Sequence, residues 1–294
     1  MRFEGTYTAL VTPFDKQGNL DEEGLRELVR FQLQEGIDGL VPVGTTGECS
    51  TLSYEEHERV IEIVVGEAKG RVPVVAGTGS NSTREALMLT NFAREAGADG
   101  ALLVVPYYNR PTQEGLYQHF KELAEKVDIP QILYNIPSRT GVNLLPQTVA
   151  RLAEIKNIVG IKEASTVDQV SEIIELTKGK DFVVFSGNDN QTLPILALGG
   201  VGVISVASNV APRLVSEMVR AFRKGKIEEA RELHYRLSPL FKALFLETNP
   251  APVKAALEMM GLPAGPPRLP LVEISQQNRE ILRKVLIDLG LLKK

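Results

Sequence analysis

The sequence predicts an α/β protein, an eight-stranded (β/α)8 TIM barrel with a C-terminal helical appendage. Short apolar runs recur eight times along the first three quarters of the 294 residues. A polar or Gly/Pro-containing loop and then an amphipathic helical pattern follow these runs, and beyond the eighth run the strand signal stops while the helical signal continues.

The runs are Thr6 to Val11, Gly39 to Val43, Val72 to Ala76, Ala101 to Val105, Gln131 to Asn135, Ile158 to Lys162, Phe182 to Phe185 and Val203 to Val206. They are nearly continuous in apolar character rather than alternating, as befits strands of a parallel sheet covered on both faces. Between them, Glu22 to Gly36, Tyr54 to Lys69, Arg84 to Gly97 and Glu114 to Val127 place apolar residues at helical spacing, with Gly at several C-termini. The units repeat at roughly 20 to 35 residues, the size of one strand-helix unit of a barrel. A doubly wound open sheet would carry a glycine-rich nucleotide fingerprint after an early strand, and Gly77-Thr78-Gly79 is too short for one. Pro212 to Lys224, Ile227 to Phe245, Pro252 to Met260 and Ser275 to Leu289 read as helices without intervening strands, with a loop from Gly261 to Pro270. A boundary near Gly225 divides a barrel domain, residues 1–224, from a helical domain, residues 225–294.

Composition narrows the function. Hydrophobic residues make up 43% and charged residues 24%, with a formal net charge of -4 and both signs scattered. No basic stripe suited to a nucleic acid can be drawn. No apolar stretch is long enough to span a bilayer and the opening segment lacks a secretory pattern, so the chain reads as an unprocessed cytoplasmic protein. Cys49 is the only cysteine, which rules out an intramolecular disulfide and a thiolate metal cluster. His57, His119 and His234 lack metal-ligand spacing, and no metal is assigned. Gly199, Gly200 and Gly202 precede the eighth strand, the wrong end for a phosphate site, which disfavours a phosphorylated substrate.

Chemistry in such a barrel sits at the C-terminal ends of the strands. Lys162 ends the sixth run, where Ile158-Val159-Gly160-Ile161 would thread it through the packed core and leave its amine at the mouth. Burial disfavours the ammonium, and a neutral amine attacks carbonyls. Tyr134, one strand earlier, offers a phenol that can both donate and accept a proton. Thr45 and Thr46 lie in the Gly44–Glu48 turn, a cradle for a carboxylate, and Arg139 has the planar fork that matches a second one. Each also has a plain structural reading: a lysine that pairs with Glu163, a packing tyrosine, an ordinary turn and a solvated arginine.

Thr12-Pro13-Phe14, GTTGE from Gly44, PYYNRPTQEGLYQHF from Pro106, YNIPSRTG from Tyr134, GIKEA from Gly160 and ETNPAPVK from Glu247 together resemble the dihydrodipicolinate synthases, within the wider N-acetylneuraminate lyase group of class I aldolases. The likeness covers the whole chain. It implies condensation of pyruvate with L-aspartate 4-semialdehyde to 4-hydroxytetrahydrodipicolinate, in diaminopimelate and lysine biosynthesis, without a cofactor. Lys162 would form the imine, and Tyr134, Thr45 and Tyr108 a proton relay, Tyr108 coming from a neighbouring subunit. Thr46 would hold the pyruvate carboxylate, Arg139 the semialdehyde carboxylate, and Gly187 and Ile204 would line the pocket. Family members are usually homotetramers built as pairs of tight dimers, and some are inhibited by L-lysine. The matching regulatory positions are Cys49, Ser50, Tyr54, His57, Asn81, Glu85 and Tyr107, of which Tyr54 departs from a histidine and Cys49 from a serine. Two other readings stay open: another pyruvate-dependent aldolase acting on a sugar acid or hydroxy-oxo acid, and a non-catalytic barrel that binds an oxo acid or amino acid.

Overall fold

In the computed structural model, which describes residues 3–293, all eight runs become parallel strands: β1 (Gly5–Ala9), β2 (Gly39–Val41), β3 (Val75–Gly77), β4 (Gly100–Val104), β5 (Gln131–Asn135), β6 (Ile158–Glu163), β7 (Val183–Ser186) and β8 (Gly202–Ser205). Their hydrogen-bonded order is β2-β1-β8-β7-β6-β5-β4-β3. A parallel bridge between Leu40 and Val74 brings the two ends together, and the Leu40 N–H donates to the Pro73 carbonyl at 3.0 Å. The sheet thus closes on itself.

Two strands are shorter than their apolar runs for local reasons. β3 starts only at Val75 because Pro73 has no N–H to give to a ladder and the Val74 N–H donates to Asp99 Oδ2 at 2.8 Å instead. β2 stops at Val41, since Pro42 follows and Val43 turns into the left-handed region at φ 50°.

The helices are α1 (Glu22–Gln34), α2 (Tyr54–Ala68), α3 (Thr83–Glu95), α4 (Gln113–Lys126), α5 (Pro137–Thr140), α6 (Pro146–Leu152), α7 (Val167–Leu176), α8 (Thr192–Leu198), α9 (Pro212–Arg223), α10 (Ile227–Ala243), α11 (Ala251–Met259) and α12 (Gln276–Leu289). Side-chain caps set several starts: Asp21, Ser82, Thr112 and Thr166 accept from the first turn, and Ser53 with Glu56 forms a capping box on α2. Between helices and sheet lie two buried clusters. One packs Leu103, Phe120, Leu133, Ile158 and Ile161 together. The other unites Leu10, Leu25, Val215 and Met218 with Leu237, Leu240, Val253, Leu257, Leu282 and Leu286. Gly225 lies in the turn between α9 and α10, and both helices bury side chains in this second cluster. The helical appendage therefore covers barrel residues that would otherwise meet water.

Inside the barrel a third cluster contains Tyr7, Val41, Val75, Leu102, Ile132, Tyr134, Phe185 and Ile204, with Val159 packed against it. Polar groups close the seam between the first and last strands: the Thr8 and Ser208 hydroxyls share a hydrogen bond at 2.8 Å, and Asn209 Nδ2 donates to the Ala9 carbonyl at 2.8 Å. One irregularity interrupts the ladders. Gln131 pairs with Ile158 but Ile132 pairs with Gly160, so β6 carries one extra residue, Val159, against β5. From there the register continues Leu133 with Ile161 and Tyr134 with Lys162.

The tightest approach in the seam is between Gly5 and Gly202, which face each other across β1 and β8. A Cβ on Gly202 would lie 1.8 Å from the Gly5 carbonyl oxygen. Gly202→Ala is therefore expected to lower unfolding free energy by about 2 kcal/mol or more. Denaturant midpoints of the two proteins check this, and an unchanged midpoint would show that the seam can widen freely.

Candidate active site

Lys162 ends in the inner layer of the barrel with only 5% of its surface exposed. Tyr134 is its ladder partner on β5 and Phe185 its partner on β7. The amine Nζ lies 4.1 Å from the centre of the Tyr134 ring. No salt bridge or hydrogen bond of Nζ occurs among the described residues. Glu163 does not pair with it, because the next residue of a strand faces the other way. The Glu163 carboxylate is instead buried among Asn135 Nδ2 at 3.0 and 3.1 Å, Gln169 Nε2 at 3.1 Å and the Ser165 N–H at 2.8 Å.

An unpaired amine in this setting releases its proton readily. Burial pulls Lys162 down from 10.5 to about 7; Asp189 opposes the shift and Arg139 adds to it. Asp189 is itself buried, and three donors occupy its oxygens: Ser205 Oγ at 2.5 Å and the Val206 and Ala207 N–H groups, each at 3.1 Å. At neutral pH a large share of Lys162 is a free nucleophile, which an exposed lysine is not.

Tyr134 is pushed up to about 12 by burial, against the pull of Arg139 and a hydrogen bond with the Thr45 side chain. It stays a phenol at neutral pH and can hand a proton on. Thr45 sits in the turn after β2, which closes through Gly47 N–H to Gly44 O at 3.0 Å and Glu48 N–H to Thr45 O at 3.1 Å. Thr46 is buried, and its Oγ1 accepts from Asn249 Nδ2 at 3.0 Å. Arg139 rides on α5, a single turn started by Pro137 and ended by Gly141 at φ 72°. Its Nη2 donates to the Asn249 carbonyl at 3.1 Å. Asn249 thus touches both residues suited to carboxylates, although nearly half the barrel separates them.

Beside Thr45 opens a cavity of about 610 Å³. Thr45, Arg139 and Asn249 line it, as do Cys49, Ser50, Tyr54, His57, Glu85 and Tyr107. Tyr54 donates to Glu85 Oε1 at 2.5 Å, Ser80 donates to Glu85 Oε2 at 2.6 Å, and His57 Nε2 bonds the Gly77 carbonyl at 2.8 Å. Burial raises the Cys49 thiol to about 11, so it is a poor nucleophile at neutral pH. Asn81 is not on this wall; its carbonyl accepts from Asn109 Nδ2 at 2.9 Å. Lys162, Tyr134, Gly187 and Ile204 do not line the cavity either. Ile204 is a fully buried member of the inner cluster, and Gly187 donates its N–H to the Glu163 carbonyl at 2.7 Å.

Tyr108 is the one relay candidate that this chain does not bring to the site. It is 91% exposed and held at φ 69°, in a loop where Arg110 is also left-handed at φ 46°. Sequence reasoning gave Asp189, Glu48, Asn249 and Lys254 no role of their own.

The geometry is that of a barrel with a nucleophilic amine, a phenol-hydroxyl pair and a cation at one mouth. The family model of the dihydrodipicolinate synthetase family matches residues 2–288. The chain belongs to that family. Within the dihydrodipicolinate synthetase family it is 59% identical over 289 residues to the 4-hydroxy-tetrahydrodipicolinate synthase of Methanothrix thermoacetophila, covering 98% of this chain and 97% of the relative. A solved structure of the chloride-inhibited dihydrodipicolinate synthase from Acinetobacter baumannii complexed with pyruvate is similar at 48% identity and a TM-score of 0.96, over 98% of this chain and 99% of that one. The enzyme from Cyanidioschyzon merolae with lysine bound superposes with a TM-score of 0.96 at 43% identity, over 99% of each chain.

The Lys162 shift has a consequence for stability. Between about 7 and 10.5 the unfolded chain carries a proton that the folded chain lacks, so stability rises with pH across that window. Below about 7 the fold bears the whole cost of a buried ammonium. Lys162→Met, free of that cost, is expected to exceed the parent by a few kcal/mol below the folded value, with the gap shrinking as pH approaches 10.5. Denaturant titrations of both proteins across this range check it; a gap independent of pH would show that the buried amine stays charged.

Proposed function

We propose that this chain condenses pyruvate with L-aspartate 4-semialdehyde to 4-hydroxytetrahydrodipicolinate, through an imine on Lys162. The observation that carries the reading is the unpaired buried amine of Lys162 against Tyr134. The family membership and the pyruvate named with the Acinetobacter relative support the choice of oxo acid.

The pyruvate carboxylate docks on Thr46 and the turn backbone, which aims the carbonyl carbon at the neutral amine. Addition gives a carbinolamine, and loss of water gives the protonated imine, with Tyr134 and Thr45 passing the protons. Tyr108 completes the relay from a second copy of the chain, consistent with its exposure and left-handed backbone here. The iminium then serves as electron sink: the methyl group loses a proton, and the enamine attacks the aldehyde carbon of the second substrate. Arg139 receives that substrate's carboxylate at the mouth. The semialdehyde's own amine then displaces Lys162 and closes the ring. The iminium does the work of a cofactor, so the scheme calls for none. Assembly as a homotetramer in the cytoplasm belongs to the same reading.

Borohydride added to protein and pyruvate is expected to trap a covalent adduct on Lys162, seen by intact mass and absent from Lys162→Ala. An adduct persisting in that variant would place the nucleophile elsewhere. Arg139→Ala is expected to lower kcat/KM for the semialdehyde by about 10- to 100-fold, the worth of one charged hydrogen bond, while sparing adduct formation. A preference for sugar aldehydes in the same coupled assay would favour a sugar-acid aldolase instead.

We further infer that L-lysine inhibits by entering the cavity that Ser50, His57, Glu85 and Tyr107 line, a reading supported by the lysine named with the Cyanidioschyzon relative. Tyr54 already occupies one oxygen of Glu85, so an incoming ammonium competes with that phenol. Tyr54→Phe is expected to lower the lysine concentration for half-inhibition by about threefold or more. Turnover of the parent that stays unchanged at saturating lysine would remove this inference.

A further inference from the structure

The protein buries a second lysine as fully as the first. Lys254, on α11, has a side chain 1% exposed, and its Nζ meets Glu48 Oε1 at 2.6 Å; Glu48 is equally buried. The other Glu48 oxygen accepts the Arg268 N–H at 2.9 Å, and Lys254 also donates to the Pro266 carbonyl at 3.2 Å. Phe14 packs beneath, its ring centre 4.2 Å from Lys254 Nζ and 4.1 Å from the Arg268 guanidinium carbon. Arg268 in turn is bonded to Glu56, the Gly18 carbonyl and the Thr51 carbonyl. With both acceptors and the cation engaged, Lys254 is no candidate nucleophile.

A buried pair of this kind adds little stability over apolar groups of the same shape. What it does provide is a fixed direction. Glu48 closes the turn that carries Thr45 and Thr46, and it does so with φ 54°, a left-handed backbone that a side chain of this size adopts reluctantly. The hydrogen bonds within the turn close the loop but leave its tilt over the barrel mouth free. Besides the Thr12 hydroxyl, which donates to the Gly47 carbonyl at 2.7 Å, and the Arg268 N–H on Glu48, two side chains of the appendage limit that freedom: Lys254 holds Glu48, and Asn249 holds Thr46. Both come from one short stretch of the appendage, residues 249–254.

We propose that Lys254, through its pair with Glu48, is a positioning residue for the oxo-acid site, fixing the tilt of the Thr45–Thr46 turn relative to Lys162. The inference rests on the reading of Thr46 as the carboxylate holder. It assigns the helical appendage a part in substrate capture in addition to covering the outer core.

Removing one partner would strand the other, so the test uses Glu48→Gln/Lys254→Met, in which neutral groups refill the space. Glu48→Asp, which keeps both charges but shortens the carboxylate arm, is the second variant and covers the case in which the first does not fold. Borohydride trapping at a series of pyruvate concentrations, with circular dichroism on the same samples, reads the effect. The pyruvate concentration for half-maximal trapping is expected to rise about tenfold or more in the double variant and severalfold in Glu48→Asp. The pH inflection of trapping stays at the parent's value, because the groups that set it, Asp189 and Arg139 beside a buried Lys162, are not substituted. Half-saturation within twofold of the parent in the folded variants, whatever their melting temperatures, would reduce the pair to a purely structural role. Failure of the parent itself to trap pyruvate would defeat the reading of the site, and this inference with it.

Discussion

A primary amine is held at the top of a packed barrel with no carboxylate in contact, and much of the surrounding structure serves to keep it so. Two carboxylates lie close by in sequence or space. Either one, freed, would draw a proton onto Lys162 and end its nucleophilicity. Glu163 is turned to the outer face and saturated by Asn135, Gln169 and the Ser165 N–H. Asp189 is saturated by Ser205 and two backbone donors, so its charge is felt at the amine only at a distance. The polar layer around the barrel end keeps its own charges occupied, and the amine is left with an aromatic face.

The two buried lysines show how pairing decides chemistry. Burial lowers both, but the Glu48 carboxylate works against the shift at Lys254, whereas no contacting anion does so at Lys162. One side chain is tied to a carboxylate and the other is left free to react. Their difference lies in their neighbours, since residue type and depth of burial are alike. Polar groups elsewhere in the mouth are likewise engaged: Asn249 donates its side-chain amide to Thr46 and accepts from Arg139 at its backbone carbonyl, linking the two residues directly.

Much of this was legible in the sequence because it is local. Eight continuous apolar runs, each of a length suited to one barrel strand, point to a sheet buried on both faces, and strand adjacency alone puts Tyr134 beside Lys162. The short helices α5 to α8 left a weaker mark, having between one and three turns each and no long amphipathic stretch. The turn's supports were out of reach for another reason. Glu48 and Lys254 are 206 residues apart, and Thr46 and Asn249 are 203 apart. No periodicity relates such pairs; only the packing of the appendage onto the barrel brings them together. Asp189 could be placed on the rim from its strand end, but its hydrogen bonds to the end of β8 depend on tertiary contact.

The extra residue in β6 sets which way the amine faces. Ile158 lies with the outer cluster and Val159 against the inner one, and a regular strand would then turn Ile161 inward and Lys162 outward. The irregularity at Val159 reverses the alternation, so that Ile161 joins the outer cluster and Lys162 meets the Tyr134 ring. Without it, a carboxylate from Glu163 would occupy the interior and the amine would face the helices. Among nearby changes, the site is therefore more exposed to loss or gain of a single codon at the foot of this strand than to most exchanges of one side chain for another.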